Sequence, residues 1–305
     1  MRPVPLMLFA CALVLLGAAP VPAQEGPDAA MTSPARELNL LFIHNSCGGQ
    51  LFADPGPIQG GESRATGEYC IHVSHPNGGG LRTRLEQAGY QVHEASYGSI
   101  LGEHTDICQW RRKFAEHMDR VLRTRHQDEL LPDGQRNQIV AFKSCYPNNV
   151  FRKGGQEPGD PDDCTRTVPN AKAAYRALLP MFHEHPDVLF VAFTAPPMTP
   201  YQPVGIKAKI KSWFTDTSRG GDLAIAFNAW LADREHGWLA GYDLPNVVVF
   251  DYYDILRAGN PDGYTSYPTR DGRDPHPSSE GNQLAADRFL PFLEAAVAPM
   301  SWSRP

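Results

Sequence analysis

The sequence predicts an α/β protein, a three-layer α/β/α sandwich around a five-stranded parallel sheet. Short, nearly continuous apolar runs alternate with helical stripes, the pattern of parallel strands covered on both faces. The irregular chain is also concentrated after the strands and scarce before them. In parallel sheets, long loops at the carboxyl ends of the strands form the crevice where ligands bind.

The strands are predicted over Leu38–His44, Gln91–Ser96, Gln138–Lys143, Val188–Thr194 and Asn246–Tyr252. Between them, apolar residues recur at helical spacing. Leu81, Leu85 and Ala88 form one stripe, and Ile107, Trp110, Phe114, Met118 and Val121 a second. Tyr175, Leu178, Leu179 and Phe182 form a third, and Leu223, Phe227, Trp230 and Leu231 a fourth. The last runs Leu284, Ala285, Phe289, Phe292, Leu293 and Ala296. Each reads as a core-facing stripe. The strand-to-helix joints cover about Asn45–Gly79, Ser144–Val168, Ala195–Gly221 and Tyr253–Ser278.

Composition narrows the function. Of 305 residues, 42% are hydrophobic and 20% charged, which excludes disorder as the main state. A net charge of -6, from 28 Lys+Arg against 34 Asp+Glu, argues against nucleic acid as a partner. The 28 prolines and 27 glycines imply stiff, irregular loops. No repeat of solenoid or propeller length is present.

Residues 1–23 read as a cleavable export signal. Arg2 supplies the positive end, Leu6 to Leu16 the apolar run, and Val21-Pro22-Ala23 the small residues for cleavage after Ala23. That run is too short to span a bilayer, and no later segment is apolar enough to do so. Residues 24–37 read as a linker, 38–298 as one domain and 299–305 as a tail. The expectation is a secreted or periplasmic protein without stable membrane insertion. Export permits disulfides, and Cys47, Cys70, Cys108, Cys145 and Cys164 then leave an odd number with the pairing open.

The chemistry-bearing residues stand at the strand ends. Ser46 follows the first strand with Gly48 and Gly49 behind it, and Gly98 and Gly102 follow the second. Asn148 and Asn149 follow the third, and Asp271, Asp274 and His276 precede the last helix. These are the parts of an acyl-transfer site: a hydroxyl nucleophile, a base, a carboxylate to orient it and donors for an oxyanion.

In order and placement these residues resemble the SGNH hydrolases, the GDSL-like esterases, over roughly residues 38–296. The resemblance implies that Ser46 is the nucleophile and His276 the base, with Gly102 and Asn148, or Asn149, facing the oxyanion. Three departures stand out. The family's Gly-Asp-Ser reads His44-Asn45-Ser46 here, and its Gly-x-Asn-Asp is replaced by "KSCYPNN". Its acid, three residues before the His, is Arg273 in this chain, so Asp274 is assigned as the acid with Asp271 as the alternative. The segments "FNAWL" and "VVVFDYYDIL" also resemble the family. The implied activity is hydrolysis of short-acyl, acetyl, esters on a carbohydrate, without metal or organic cofactor. A catalytically silent glycan-binding module and an O-acetyltransferase are the alternatives on the same fold.

Plainer readings stand beside these. Ser46 is also a turn residue, and Gly102 also suits a turn needing positive φ. Ser278 or Ser279 suits the N-cap of the last helix, with Glu280 in its first turn. Cys47 reads as a disulfide partner or buried residue before a nucleophile. His72 and His75 read as loop histidines without a third metal ligand nearby in sequence, and Lys207, Lys209 and Lys211 as a solvated face. Trp213, Tyr264 and Tyr267, with Tyr252 and Tyr253, lie in the strand-end loops, where aromatic rings suit a sugar or an acyl chain.

Overall fold

The computed structural model describes residues 37–61, 69–200 and 219–302. The export signal, the linker up to residue 36, Trp213 and the lysine run at 207–211 lie outside the described residues. The first half of the chain runs β1 (Leu38–Ile43), α1 (Cys47–Phe52), β2 (Asp54–Pro55), β3 (Gln59–Gly60), β4 (His72–His75), α2 (Leu81–Gln87), β5 (Tyr90–Ala95) and α3 (Ile107–Arg123). Next come β6 (Thr124–His126), β7 (Glu129–Leu130), β8 (Ile139–Lys143), a 3₁₀ turn (Tyr146–Asn149), α4 (Val168–Arg176) and α5 (Leu179–His183). The rest is β9 (Leu189–Phe193), α6 (Arg219–Ala232), β10 (Val247–Phe250), α7 (Tyr252–Arg257) and α8 (Ser279–Val297).

The main sheet has seven strands, not five, in the order β10-β9-β8-β1-β5-β6-β7. Pairing is parallel from β10 through β6, and β7 closes the edge antiparallel to β6. The extra pair escaped the apolar pattern because its segments, "TRH" and "EL", are short and polar. A second, three-stranded sheet joins β2, β4 and β3, so His72 and His75 lie on a strand and not in a loop.

Alternation along the strands sorts the core into two apolar clusters. Leu41, Ile43, Val140, Phe142 and Phe190 pack with residues of α3, α4, α5 and α6, including Trp110, Phe114, Phe182 and Phe227. Leu40, Phe42, Ala141, Leu189 and Val191 pack with α1, α2, α7 and α8, including Leu51, Leu85, Leu256 and Phe289. Neighbouring strand residues thus face opposite ways, as the two-residue period requires. Each large buried side chain contributes roughly 1.5–3 kcal/mol, so this double core supports a network of polar groups beneath one end of the sheet.

That end is defined by topology. β1 lies between β5 and β8, and chain connections leave it in opposite directions, which opens a crevice at the strands' carboxyl ends. Ile43 of β1 is in register with Ala95 of β5 and Phe142 of β8, so the turns carrying Ser46, Ser96 and Cys145 emerge at one edge. Under it, fully buried His44 binds Glu94 (Nε2 to Oε1, 2.8 Å), and Arg82 binds the other carboxylate oxygen. Arg82 also donates to the His72 carbonyl at 2.9 Å. Burial pushes His44 below its ordinary value, against the pull of Glu94. Burial pushes the Glu94 carboxyl up, but Arg82 and His44 outweigh it and hold it below the usual range.

Removing Arg82 leaves a buried carboxylate with a neutral imidazole. Arg82→Ala should therefore lower unfolding free energy near neutral pH by about 3 kcal/mol, read by urea denaturation. Glu94 is depressed, so its stabilisation is complete above the ordinary carboxylate range and is lost as pH falls through its lowered value. The gap between wild type and variant should narrow in acid; a gap that widens would contradict the pairing.

Candidate active site

Ser46 owes its position to a turn with little freedom. After β1, His44 N–H donates to the Ala95 carbonyl at 3.0 Å. The buried Asn45 amide donates to Thr105 Oγ1 at 2.7 Å and accepts from Ser96 Oγ at 3.4 Å. Ser46 itself has φ 49° and ψ -103°, a conformation L-residues rarely adopt. α1 begins at the next residue, and it can do so only with glycine at 49. A Cβ there would lie 1.8 Å from the Cys70 carbonyl oxygen. The Ser46 side chain does not cap α1; its Oγ is in close hydrogen-bond contact with His276 Nε2.

His276 is presented by a tight hairpin. Thr269 and Asp274 form an antiparallel bridge, and Arg270, Asp271 and Gly272 turn between them at positive φ. The turn lifts Asp274 beneath the ring: His276 Nδ1 lies 2.6 Å from Asp274 Oδ1, and the His276 backbone N–H donates to the same oxygen at 3.1 Å. Arg270 Nε lies 3.4 Å from Oδ2. Partial burial pushes the Asp274 carboxyl up, but the His276 hydrogen bonds and charge, with Arg270, hold it below its ordinary value. An ionised acceptor at Nδ1 keeps the proton there and leaves Nε2 free to accept from the serine hydroxyl. Asp271 is exposed at the hairpin tip, on the far side of Gly272. Ser278 caps α8, its Oγ accepting from Gly281 N–H at 3.4 Å. The ring of Tyr146 stands edge-on to His276, with centroids 5.2 Å apart.

The expected oxyanion donors hydrogen-bond within the protein. Gly102 N–H donates to Ser99 Oγ at 3.0 Å. Its φ is not in the left-handed region; glycine is needed because a Cβ would lie 1.7 Å from the Ser96 carbonyl oxygen. Asn148 donates to Asp106 Oδ1 (2.8 Å) and the Cys145 carbonyl (3.2 Å), and accepts from Ile107 N–H (2.9 Å). It secures the start of α3 and lines a separate hollow of about 230 Å³ with Asp106, Cys164 and Arg166. Asn149 is equally occupied, donating to the Ala195 and Pro196 carbonyls and accepting from Asn228. The backbone N–H of Ser46 has no hydrogen-bond acceptor among the described residues.

Ser46 and His276 open onto a cavity of about 300 Å³, lined also by Gln50, Gly61, Tyr69, Cys70 and His72. Tyr264 and Tyr267 are half-buried and line no part of it. Gln50, one helical turn beyond Ser46, has a buried Oε1 with no hydrogen-bond partner among the described residues. Spacing alone, four residues on one helix, was the sequence signal for Gln50; nothing in the sequence marked Tyr69 or Tyr146. The rings of His72 and His75 lie tilted to each other, centroids 5.0 Å apart, and burial with the charges of His72 and His276 pushes His75 down to about 4. Among the described residues no group of three His, Cys, Asp or Glu side chains is arranged to hold a metal. The described cysteines include a Cys108–Cys164 disulfide that ties the start of α3 to the loop before α4.

The sequence matches no protein-family model and no curated relative. Among solved structures it is similar to a carbohydrate esterase family 2 enzyme plus carbohydrate binding domain from Corynascus thermopiles (Myceliophthora fergusii). Identity is 15% and the TM-score 0.37, over 88% of this chain and 68% of that one. A likeness that weak carries no weight for this chain's fold or activity, which rest on the geometry above.

Asn148→Ala strips the partner from the buried Ile107 N–H. It should lower stability by about 1–3 kcal/mol in denaturant unfolding, with the loss in turnover staying well under the 100-fold of a missing oxyanion donor. A stable variant with turnover down 100-fold or more would return Asn148 to the oxyanion.

Proposed function

We propose that this protein is a serine esterase that hydrolyses short-acyl, acetyl, esters on a carbohydrate. The observation that carries the reading is the unbroken chain from Ser46 Oγ to His276 Nε2 and from His276 Nδ1 to Asp274 Oδ1. Ser46 Oγ attacks the ester carbonyl as His276 Nε2 takes its proton. The imidazolium, held by ionised Asp274, returns the proton to the leaving alcohol. A water activated by the same ring then releases the acid. The Ser46 N–H is the first donor to the developing oxyanion, supported by its lack of another partner among the described residues.

The carbohydrate reading is supported by the cavity. Polar Gln50 and His72 and aromatic Tyr69 line the cavity beside the nucleophile, a mixed polar and ring surface that suits a sugar. Among the described residues no helix is long and apolar enough to cross a membrane. The disulfide supports an oxidising compartment, consistent with export and a secreted or periplasmic location. The helices packed on both faces of the parallel sheet support the three-layer SGNH-like arrangement.

The test is hydrolysis of aryl esters by the full mature chain, with acetate turned over faster than octanoate. Ser46→Ala should lose roughly 10⁴-fold or more in kcat, with residual turnover owed to the remaining donors. Asp274→Asn should lose on the order of 10³–10⁴-fold, because an amide can hold the wrong imidazole tautomer. Asp271→Asn should stay within about twofold, as an exposed position implies. An active Ser46→Ala beside a dead Cys47→Ala would move the nucleophile by one residue. No turnover of any ester would favour the silent glycan-binding alternative, and transfer of acetyl to a sugar in place of water the O-acetyltransferase one.

A further inference from the structure

Two thiols meet beside the nucleophile that the ester chemistry does not use. Cys47 follows Ser46 and begins α1; Cys145 follows β8 and precedes the 3₁₀ turn, across the crevice at the sheet's switch point. Their sulfurs lie 3.7 Å apart, 98 residues apart in the chain. Cys47 is fully buried, whereas Cys145 is only half-buried, so Cys145 is the less enclosed residue of the pair. Fully buried Lys143 stands two residues before Cys145, its ammonium donating to the Ser144 carbonyl at 3.2 Å.

We infer that Cys145 is a site of covalent modification by disulfides, and that Cys47 resolves the adduct to form a Cys47–Cys145 bridge. The roles follow from exposure and electrostatics. The Cys47 thiol beside it, with Lys143, the Cys47 backbone N–H and His276, holds Cys145 well below the usual thiol range. Burial pushes Cys47 well above it. A thiol in electropositive surroundings, next to a more deeply buried one, is the arrangement of an attacking and a resolving cysteine.

The step balances. The Cys145 thiolate attacks one sulfur of an external disulfide, forming a mixed disulfide and expelling one thiolate. Cys47 then attacks the Cys145 sulfur, and its proton passes to the departing sulfur. The protein disulfide forms, the mixed one breaks and the second half of the external disulfide leaves as a thiol. Two protein thiols are oxidised by two electrons, and the external disulfide is reduced to two thiols. Closing from 3.7 Å to a bond of about 2.05 Å falls to Cys145, on its half-exposed turn, because Cys47 is packed in place. The bridge would join the turn carrying Ser46 to the turn carrying Tyr146.

The inference does not depend on the esterase reading, and its test reads mass rather than turnover. The full mature chain is treated with oxidised glutathione, its remaining thiols alkylated in denaturant, and its peptides weighed. A Cys47–Cys145 linked peptide is expected, with Cys108–Cys164 unchanged. In Cys47→Ala, glutathione should stay on Cys145, at least tenfold more occupied than in wild type. Alkylation of the untreated native chain should modify Cys145 at least tenfold faster than Cys47. If both cysteines remain alkylatable after oxidation, if glutathione stays on Cys145 in wild type, or if either pairs with Cys70, the inference is wrong. The wild-type linkage decides the matter if Cys47→Ala does not fold.

Discussion

The site depends on one constrained turn. Ser46 sits at a positive φ that disfavours any residue with a side chain, a strain of about 1–3 kcal/mol for such a conformation. The surroundings hold it there. Asn45 is tied to Thr105 and Ser96 on the β5 side, His44 is locked to Glu94 and Arg82 below, and α1 is seated against the Cys70 carbonyl by Gly49. The result is a hydroxyl projecting from the turn toward His276. Relaxing the turn would swing the hydroxyl away from the only base in contact with it among the described residues.

Charge is distributed around that turn by burial and pairing. His44, enclosed, stays neutral beneath the turn, whereas His276, at the cavity, is paired with an ionised carboxylate. The two histidines, each bound to an acid, therefore do different work. In the His44–Glu94–Arg82 chain the histidine and the acid are enclosed, only Arg82 reaches the surface, and the chain stabilises the scaffold. The Asp274–His276–Ser46 chain ends at open space, where a substrate can be met. Access to the cavity, not the identity of the side chains, separates a structural acid–histidine pair from one suited to catalysis.

The backbone of this arrangement was legible in the sequence. The five long strands lie within two residues of their apolar runs, Ser46 follows the first of them, and Asp274 and His276 precede the last helix. Predicted ends failed where side-chain hydrogen bonds override apolarity. Asp251, read as strand, caps α7 by accepting from Asp254 N–H at 3.1 Å. The stripe from Tyr175 to Phe182 is divided between α4 and α5, with Pro180 in the first turn of α5. Asp274 was assigned over Asp271 from the sequence, but the hairpin with its three successive positive-φ residues, which sets which carboxylate faces the ring, was not legible there. The roles of Gly102 and Asn148 were least legible. Both residue types suit an oxyanion hole, but Ser99 takes the Gly102 N–H within a local turn, and only tertiary structure brings the start of α3 to Asn148.

The most direct test of Ser46 as the nucleophile is covalent capture. The full mature chain is treated with an aryl dialkyl phosphate, which phosphorylates an activated serine and stalls there, and the adduct is located by peptide mass spectrometry. The account predicts one phosphoryl group on Ser46, and a rate of labelling cut at least 100-fold in His276→Ala. Labelling of Cys145 or of another serine, or equal labelling without the histidine, would contradict it.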